Sequence, residues 1–168
     1  PAILIALLID GIARGIVPKE AHEEVAVYVL VFAIGISGWV QYARTVRGST
    51  LVEKGKEYVQ AARVIGIRPG TILHRHILPN VMGPVMVIAT IHLAIAIITE
   101  ATLSFLGIGV QPPQPSWGNI IFESQSYFQA APWLVFFPGA IILLTALSFN
   151  LVGDALRDIL DPTQRGRG

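Results

Sequence analysis

The sequence predicts an all-α fold, a polytopic bundle of transmembrane helices. Two observations lead to this prediction. Apolar residues make up 53% of the chain and charged residues only 14%, whereas soluble domains carry roughly 25% charged residues. The charges are also unevenly placed, so that long stretches are almost free of them. The mean hydropathy of the chain is +0.62. Both features are typical of a membrane protein.

The apolar stretches mark four candidate spans, at about residues 1–17, 25–40, 81–106 and 132–153. The first is interrupted by Asp10 and Arg14 and, at about 1.5 Å per residue, it is short for a hydrocarbon core of roughly 30 Å. Because the chain starts at Pro1 directly inside this run, we expect an N-terminally truncated fragment whose missing part holds at least one further span.

The distribution of Lys and Arg predicts the orientation of the spans. Residues 41–80 include seven basic side chains, and residues 107–131 include none. Cytoplasmic loops are enriched in Lys and Arg, so we expect 41–80 to be a cytoplasmic loop, 107–131 an outer loop and 154–168 a cytoplasmic tail. The basic residues of the first loop are Arg44, Arg47, Lys54, Lys56, Arg63, Arg68 and Arg75.

The sequence lacks the residues that several kinds of functional site require. The chain has 0 Cys, which excludes disulfides and thiolate metal sites within it. It has no Gly-x4-Gly-Lys-Ser/Thr phosphate loop, so it is not predicted to be an enzyme, and any ATP hydrolysis would occur on another polypeptide. His74 and His76 face different directions on a helix, and no metal or cofactor site is predicted. The basic end at 165–168 is too short to indicate nucleic-acid binding.

The loop 41–80 contains a spaced motif. Gln60-Ala61-Ala62 is followed after three residues by Gly66, and nine residues later by His76-Ile77-Leu78-Pro79. A glycine between two short helices would make a compact knob, and small alanine side chains would let a partner approach closely. An ordinary amphipathic cytoplasmic hairpin is the alternative interpretation of the spacing.

This spacing resembles the EAA loop of binding-protein-dependent ABC permeases, with Gln60 in place of the Glu and His76 in place of the first Ile. The resemblance implies an ATPase-coupling loop that binds a separate ATP-binding cassette subunit. The implied docking core consists of Ala61, Ala62, Gly66, Leu78 and Pro79. Arg63, Arg68 and Arg75 would form the rim of that contact or bind anionic lipid.

A longer resemblance covers roughly residues 39–162. Its strings are residues 99–113, 115–118, 131–133, 137–139 and 149–162. They resemble the C-type subunit of the dipeptide/oligopeptide/nickel permease family of ABC transporters. The resemblance implies the MetI-like fold of type I ABC importers. It also implies ATP-driven import of peptides, nickel or other small solutes, by alternating access across the inner membrane of a bacterium or archaeon. The implied partners are ATPase subunits, a second homologous permease, an extracytoplasmic solute-binding protein and the lipid bilayer.

Two polar residues stand inside the third candidate span. Glu100 and His92 lie eight residues apart, on nearly the same helix face, and intramembrane carboxylates are functional candidates by default. A proton relay would make the protein a proton-coupled secondary transporter. The favoured interpretation is a Glu near the outer end of the helix, hydrogen-bonded within the bundle. A non-transporting membrane scaffold, whose loop recruits a cytosolic protein, is the third hypothesis.

The predicted outer loop is long and rich in Pro, Gly and Gln. Loops of this length are usually functional. Four aromatic residues could anchor this loop at the membrane surface, where aromatic residues are enriched. They are Trp117, Tyr127, Phe128 and Trp133. In the resembled family this loop faces the solute-binding protein, and simple membrane anchoring is the alternative.

Overall fold

The computed structural model describes residues 2–110 and 112–160, without the side chains of residues 2 and 19–25; Gln111 and the tail from residue 161 onward lie outside the described residues. The predicted all-α class is confirmed, since these residues form helices and no β-strand. The helices are α1 (Ala2–Ile16), α2 (Lys19–Lys54), α3 (Glu57–Val64), α4 (Pro69–Ile72), α5 (Leu78–Phe105), α6 (Trp117–Ser124) and α7 (Trp133–Leu160). A π-helical turn (Leu73–Ile77) joins α4 to α5, and a 3₁₀ turn (Gln125–Tyr127) follows α6.

Three helical stretches of the described chain are long and apolar enough to cross a membrane: Ala26–Lys54, Pro69–Phe105 and Trp133–Leu160. Helix α1 has 15 residues, which corresponds to about 22 Å. Much of the apolar surface of α7 is exposed, including Phe136 and Leu143. Side chains of this size need an apolar environment, which lipid or further helices would supply.

The described chain divides into two compact units. The first comprises Pro1–Trp39 and His92–Phe149, and the second comprises Val40–Ile91 and Asn150–Gly168. The buried cluster of the first unit uses small residues between helices, as membrane bundles do; its members are Ala6, Leu30, Ala33, Leu103 and Val110. The buried cluster of the second unit consists of Val59, Ala62, Ile72, Ile77 and Val81.

The structure contains more helix than the sequence predicts between the spans. Helix α2 continues to Lys54, well beyond residue 40, and the stretch 107–131 contains α6 and the 3₁₀ turn. Helix α6 begins here because Ser116 caps it: its backbone is extended, and its hydroxyl accepts a hydrogen bond of 3.1 Å from the Asn119 backbone N–H. This cap ends the irregular Pro-rich segment.

Candidate functional site

A tight turn reverses the chain between α3 and α4. Gly66 has φ +83°, a left-handed conformation that glycine adopts without steric cost. Its N–H donates to the Arg63 carbonyl at 3.0 Å, and the Ile67 N–H donates to the Ala62 carbonyl at 3.1 Å. These two bonds form a Schellman motif, which satisfies the last carbonyls of α3. The turn and its flanking helices make a knob, which we define as residues 57–79.

The knob packs around a hydrophobic cluster that it shares with α5, because Val81 of that helix belongs to the same cluster. Val59 is fully buried and Ala62 is 4% exposed, and Ile67 packs against this cluster. Ala62 therefore supports the knob from inside, whereas Ala61 is exposed and is available to a partner. Gly66, Leu78 and Pro79 are also exposed, as are Gln60 and the three arginines at 63, 68 and 75.

The tip of the knob carries an apolar pair that the sequence motif does not include. Val64 is 89% exposed and Ile65 is 77% exposed, and both lie next to the turn at Gly66. Exposed Arg63 and Arg68 flank them along the chain. Two adjacent aliphatic residues directly before a turn glycine are the sequence signal that could have identified this tip.

A groove of about 630 Å³ adjoins the helices of the knob. Its apolar wall is formed by residues of α4 and the π-helical turn, and two basic residues, Lys54 and Arg63, lie among the lining side chains. The complete lining is Thr50, Lys54, Arg63, Ile67, Pro69, Ile72, Leu73 and Ile77. An apolar wall with cationic residues suits an amphipathic surface that presents carboxylates.

Polar contacts join the base of the knob to the neighbouring helices. The Tyr58 hydroxyl donates to the carboxylate of Glu53 and accepts a hydrogen bond of 2.9 Å from the Asn80 side-chain amide. Lys56 forms a 2.8 Å ion pair with Glu53, and the Gln60 side chain donates to the Gly55 carbonyl at 2.9 Å. Partial burial, followed by the bond to Glu53, raises the pKa of the Tyr58 hydroxyl above its ordinary value.

In the first unit, the segment after α5 folds back onto the end of that helix. Ser104 is buried; its hydroxyl donates to Glu100 at 2.7 Å and accepts from the Val110 N–H at 3.0 Å. The Asn119 amide donates to the Val110 carbonyl at 2.7 Å. Gly118 lies directly against the backbone of Ala101. We call residues 107–110 and 112–124 the outer cap, after the predicted outer loop in which they lie.

The favoured interpretation of Glu100, hydrogen bonding near the end of its helix, agrees with its bond to Ser104. Glu100 also lines a largely apolar cavity of about 780 Å³ between α2, α5 and the outer cap. His92 lies two helical turns earlier in α5, about 12 Å along the axis, a distance too long for direct proton transfer to Glu100.

The comparison with known families decides the identity. The model of the family "binding-protein-dependent transport system inner membrane component" matches residues 25–166. The chain belongs to this family. The match includes the knob and the outer cap, and the resemblance to ABC permeases predicted from the sequence is confirmed.

Several curated relatives are similar to this chain over most of its length. The oligopeptide transport system permease protein OppC of Salmonella typhimurium is 44% identical over 138 residues, which are 82% of this chain and 46% of the relative. OppC of Bacillus subtilis is 43% identical over 82% of this chain and 45% of its own length. A putative peptide transport system permease protein of Brucella suis is 42% identical over 100% of this chain and 53% of its own. The chain thus spans about half the length of these relatives.

Proposed function

We propose that this chain is part of a permease subunit of an ATP-driven, binding-protein-dependent importer that carries peptides. Membership of the inner membrane component family and 42–44% identity to peptide permeases support this proposal. The observation that carries it is the knob, a helical element with a buried hydrophobic cluster on one side and an exposed aliphatic tip. We propose that the tip docks onto a separate ATPase subunit.

Physical arguments favour docking over a connecting role. A connector has no need of a buried cluster, yet Val59 of the knob is fully buried and Ala62 is only 4% exposed. A solvated polar loop also has no need to present two aliphatic side chains to water, and Val64 and Ile65 would be desolvated on binding. The basic side chains around them are suited to an acidic rim on the partner.

Replacing Ile65 by aspartate tests the docking proposal. We expect co-purification of the ATPase with the full-length permease complex to fall at least about tenfold, because a charge would be buried at the centre of the contact. The matched control is Phe128→Asp, which places the same charge on an exposed aromatic residue of the 107–131 segment. Equal ATPase recovery from wild type and Ile65→Asp would contradict the proposal.

The proposed orientation places the knob and the C-terminal tail in the cytoplasm and residues 107–131 outside. Since this chain has 0 Cys, single cysteines can report the two sides in a full-length protein from which any other cysteine has been removed. We expect Thr71→Cys to react with a membrane-impermeant maleimide only in inside-out vesicles. Gln129→Cys should react only in right-side-out vesicles, and the reverse labelling pattern would contradict this orientation.

The remaining partners of the proposed complex follow from the same assignment. A second, homologous permease would complete the pathway, and an extracytoplasmic solute-binding protein would deliver peptide to the outer cap. ATP-driven movement of the ATPases would displace the knob and switch the pathway between its outward and inward states. Such coupling requires an element with two arrangements, whose equilibrium is shifted both by the ATPase and by the membrane spans. We propose the knob as this element.

A further inference from the structure

A buried carboxylate lies where helix α2 ends. Glu53 is 6% exposed and stands one residue before the last residue of α2. Two effects disfavour a carboxylate there, because burial removes it from water and the C-terminal end of a helix carries partial negative charge. Its position requires compensating partners, and Lys56 and Tyr58 supply them.

One hydroxyl group connects three helices at this place. Tyr58 belongs to α3, and it donates to Glu53 of α2. The amide of Asn80, near the start of α5, donates to the same hydroxyl at 2.9 Å. The Tyr58 oxygen therefore links the knob to the end of one long apolar helix and to the start of the next.

The same residues hold the π-helical turn. The Leu78 N–H donates to the Leu73 carbonyl, five residues back, and the next residue, Pro79, has no N–H with which to continue an α-helical ladder. The carbonyl of His76, inside this wide turn, accepts a 2.9 Å bond from the Asn80 side-chain amide and lies 3.3 Å from the Tyr58 hydroxyl. The Tyr58 and His76 rings are also neighbours, with centroids 6.1 Å apart.

We infer that Tyr58, Glu53 and Asn80 form a positioning joint that makes the knob move together with helices α2 and α5. The inference rests on the proposed function, in which the ATPase displaces the knob. A hinged knob would absorb that displacement within the irregular turns on either side of it. A knob fixed through Tyr58 instead passes the displacement to both helices, because the wide turn next to Pro79 is held by side chains as well as by the backbone ladder.

In this inference the three residues act through the groups that they hold in place, and no contact with substrate or nucleotide is assigned to them. The joint should therefore determine how much uptake each hydrolysed ATP produces, and it should leave ATPase docking unchanged. Val64 and Ile65, the proposed contact residues, lie at the opposite end of α3 from Tyr58.

Tyr58→Phe, made in the full-length permease of the reconstituted importer complex, tests the joint. The substitution removes one oxygen and keeps the ring beside His76. We expect unchanged ATPase co-purification, continued ATP hydrolysis and a drop of about tenfold in peptide imported per ATP, as loss of a hydrogen bond to a carboxylate predicts. Tyr28→Phe is the control, since its ring is exposed on α2, outside both the knob and the predicted outer loop, and it should leave this ratio unchanged.

A second variant separates a joint from a local packing effect. Asn80→Ala removes another hydrogen-bonding group of the same network. The double variant with Tyr58→Phe should therefore lose little more peptide import per hydrolysed ATP than either single variant. Additive losses, or a wild-type ratio of uptake to hydrolysis in Tyr58→Phe, would overturn the inference. Failure of the proposed function gives a different result, because Ile65→Asp would then leave ATPase recovery unchanged.

Discussion

Replacing Gly118 by alanine is expected to detach the outer cap from helix α5. A Cβ at this position would lie against the carbonyl oxygen of Ala101 and 2.9 Å from the Phe105 backbone nitrogen. Both neighbours are main-chain atoms of a helix, which cannot move aside as the end of a flexible side chain can. We expect a cost of about 1–3 kcal/mol, typical of overpacking, and we expect it to be localised in the cap.

Limited proteolysis of the full-length protein in detergent measures this effect. Cleavage within residues 107–131 should be roughly fivefold to more than a hundredfold faster in Gly118→Ala, because a cost of about 1–3 kcal/mol makes local opening more favourable by that amount. Gly139→Ala is the matched control: its added Cβ meets no atom within 4 Å, although it is also a glycine of a helix. Equal cleavage rates in the two variants would show that the close approach of Gly118 does not hold the cap.

The fold class and the apolar helices could be predicted because they follow from local composition. Long runs of aliphatic residues without charge have few alternatives to helices in an apolar environment. The turn at Gly66 could also be predicted, since a glycine between two helical patterns marks a turn. In contrast, helix α6 lies in a segment that is predicted to be a loop, because Pro, Gly and Gln are frequent around it, and the cap at Ser116 becomes apparent only in the structure.

The sequence does not show which residues of the knob face its buried cluster and which face outward. Ala61 and Ala62 are adjacent and equally small, so that nothing in their identity tells which one faces the core. The answer depends on Val59 and Ile72, whose side chains bury Ala62 after the chain has reversed at the turn. A short amphipathic pattern next to a longer apolar helix leaves this choice to tertiary packing.

Polar contacts between residues close in sequence could also be predicted, whereas contacts between distant residues could not. The bond between Ser104 and Glu100 connects residues four apart on one helix, a spacing that places side chains side by side. The contact between Tyr58 and Asn80 spans 22 residues and depends on the turns between them. No local pattern identifies such a pair, which explains why sequence reasoning gave the motif residues of the knob and missed the residues that attach it.

Replacing Gly66 by valine is expected to weaken binding of the knob to the proposed ATPase partner. The residue has φ +83°, and a β-branched side chain is strongly disfavoured in that region. A Cβ at Gly66 meets no atom within 4 Å, so the penalty comes from backbone conformation alone. We expect the turn to rearrange and the two hydrogen bonds of its Schellman motif to be lost.

The rearrangement would displace Val64 and Ile65, which directly precede the glycine. A conformational cost of about 1–3 kcal/mol corresponds to a loss of roughly fivefold to 150-fold in affinity for the ATPase, and peptide uptake should fall with it. Titration of purified ATPase onto the reconstituted permease complex measures the affinity, and uptake into the same vesicles measures the consequence.

Two variants show whether φ is the cause. Gly70→Val introduces the same side chain four residues later, within α4, where the glycine φ is negative and the Cβ also meets no atom within 4 Å. It should cost much less affinity than Gly66→Val. Gly66→Asn should fall between Gly66→Val and wild type, because asparagine tolerates the left-handed region. If Gly70→Val weakens ATPase binding as much as Gly66→Val does, side-chain bulk on the knob, rather than the turn, determines docking.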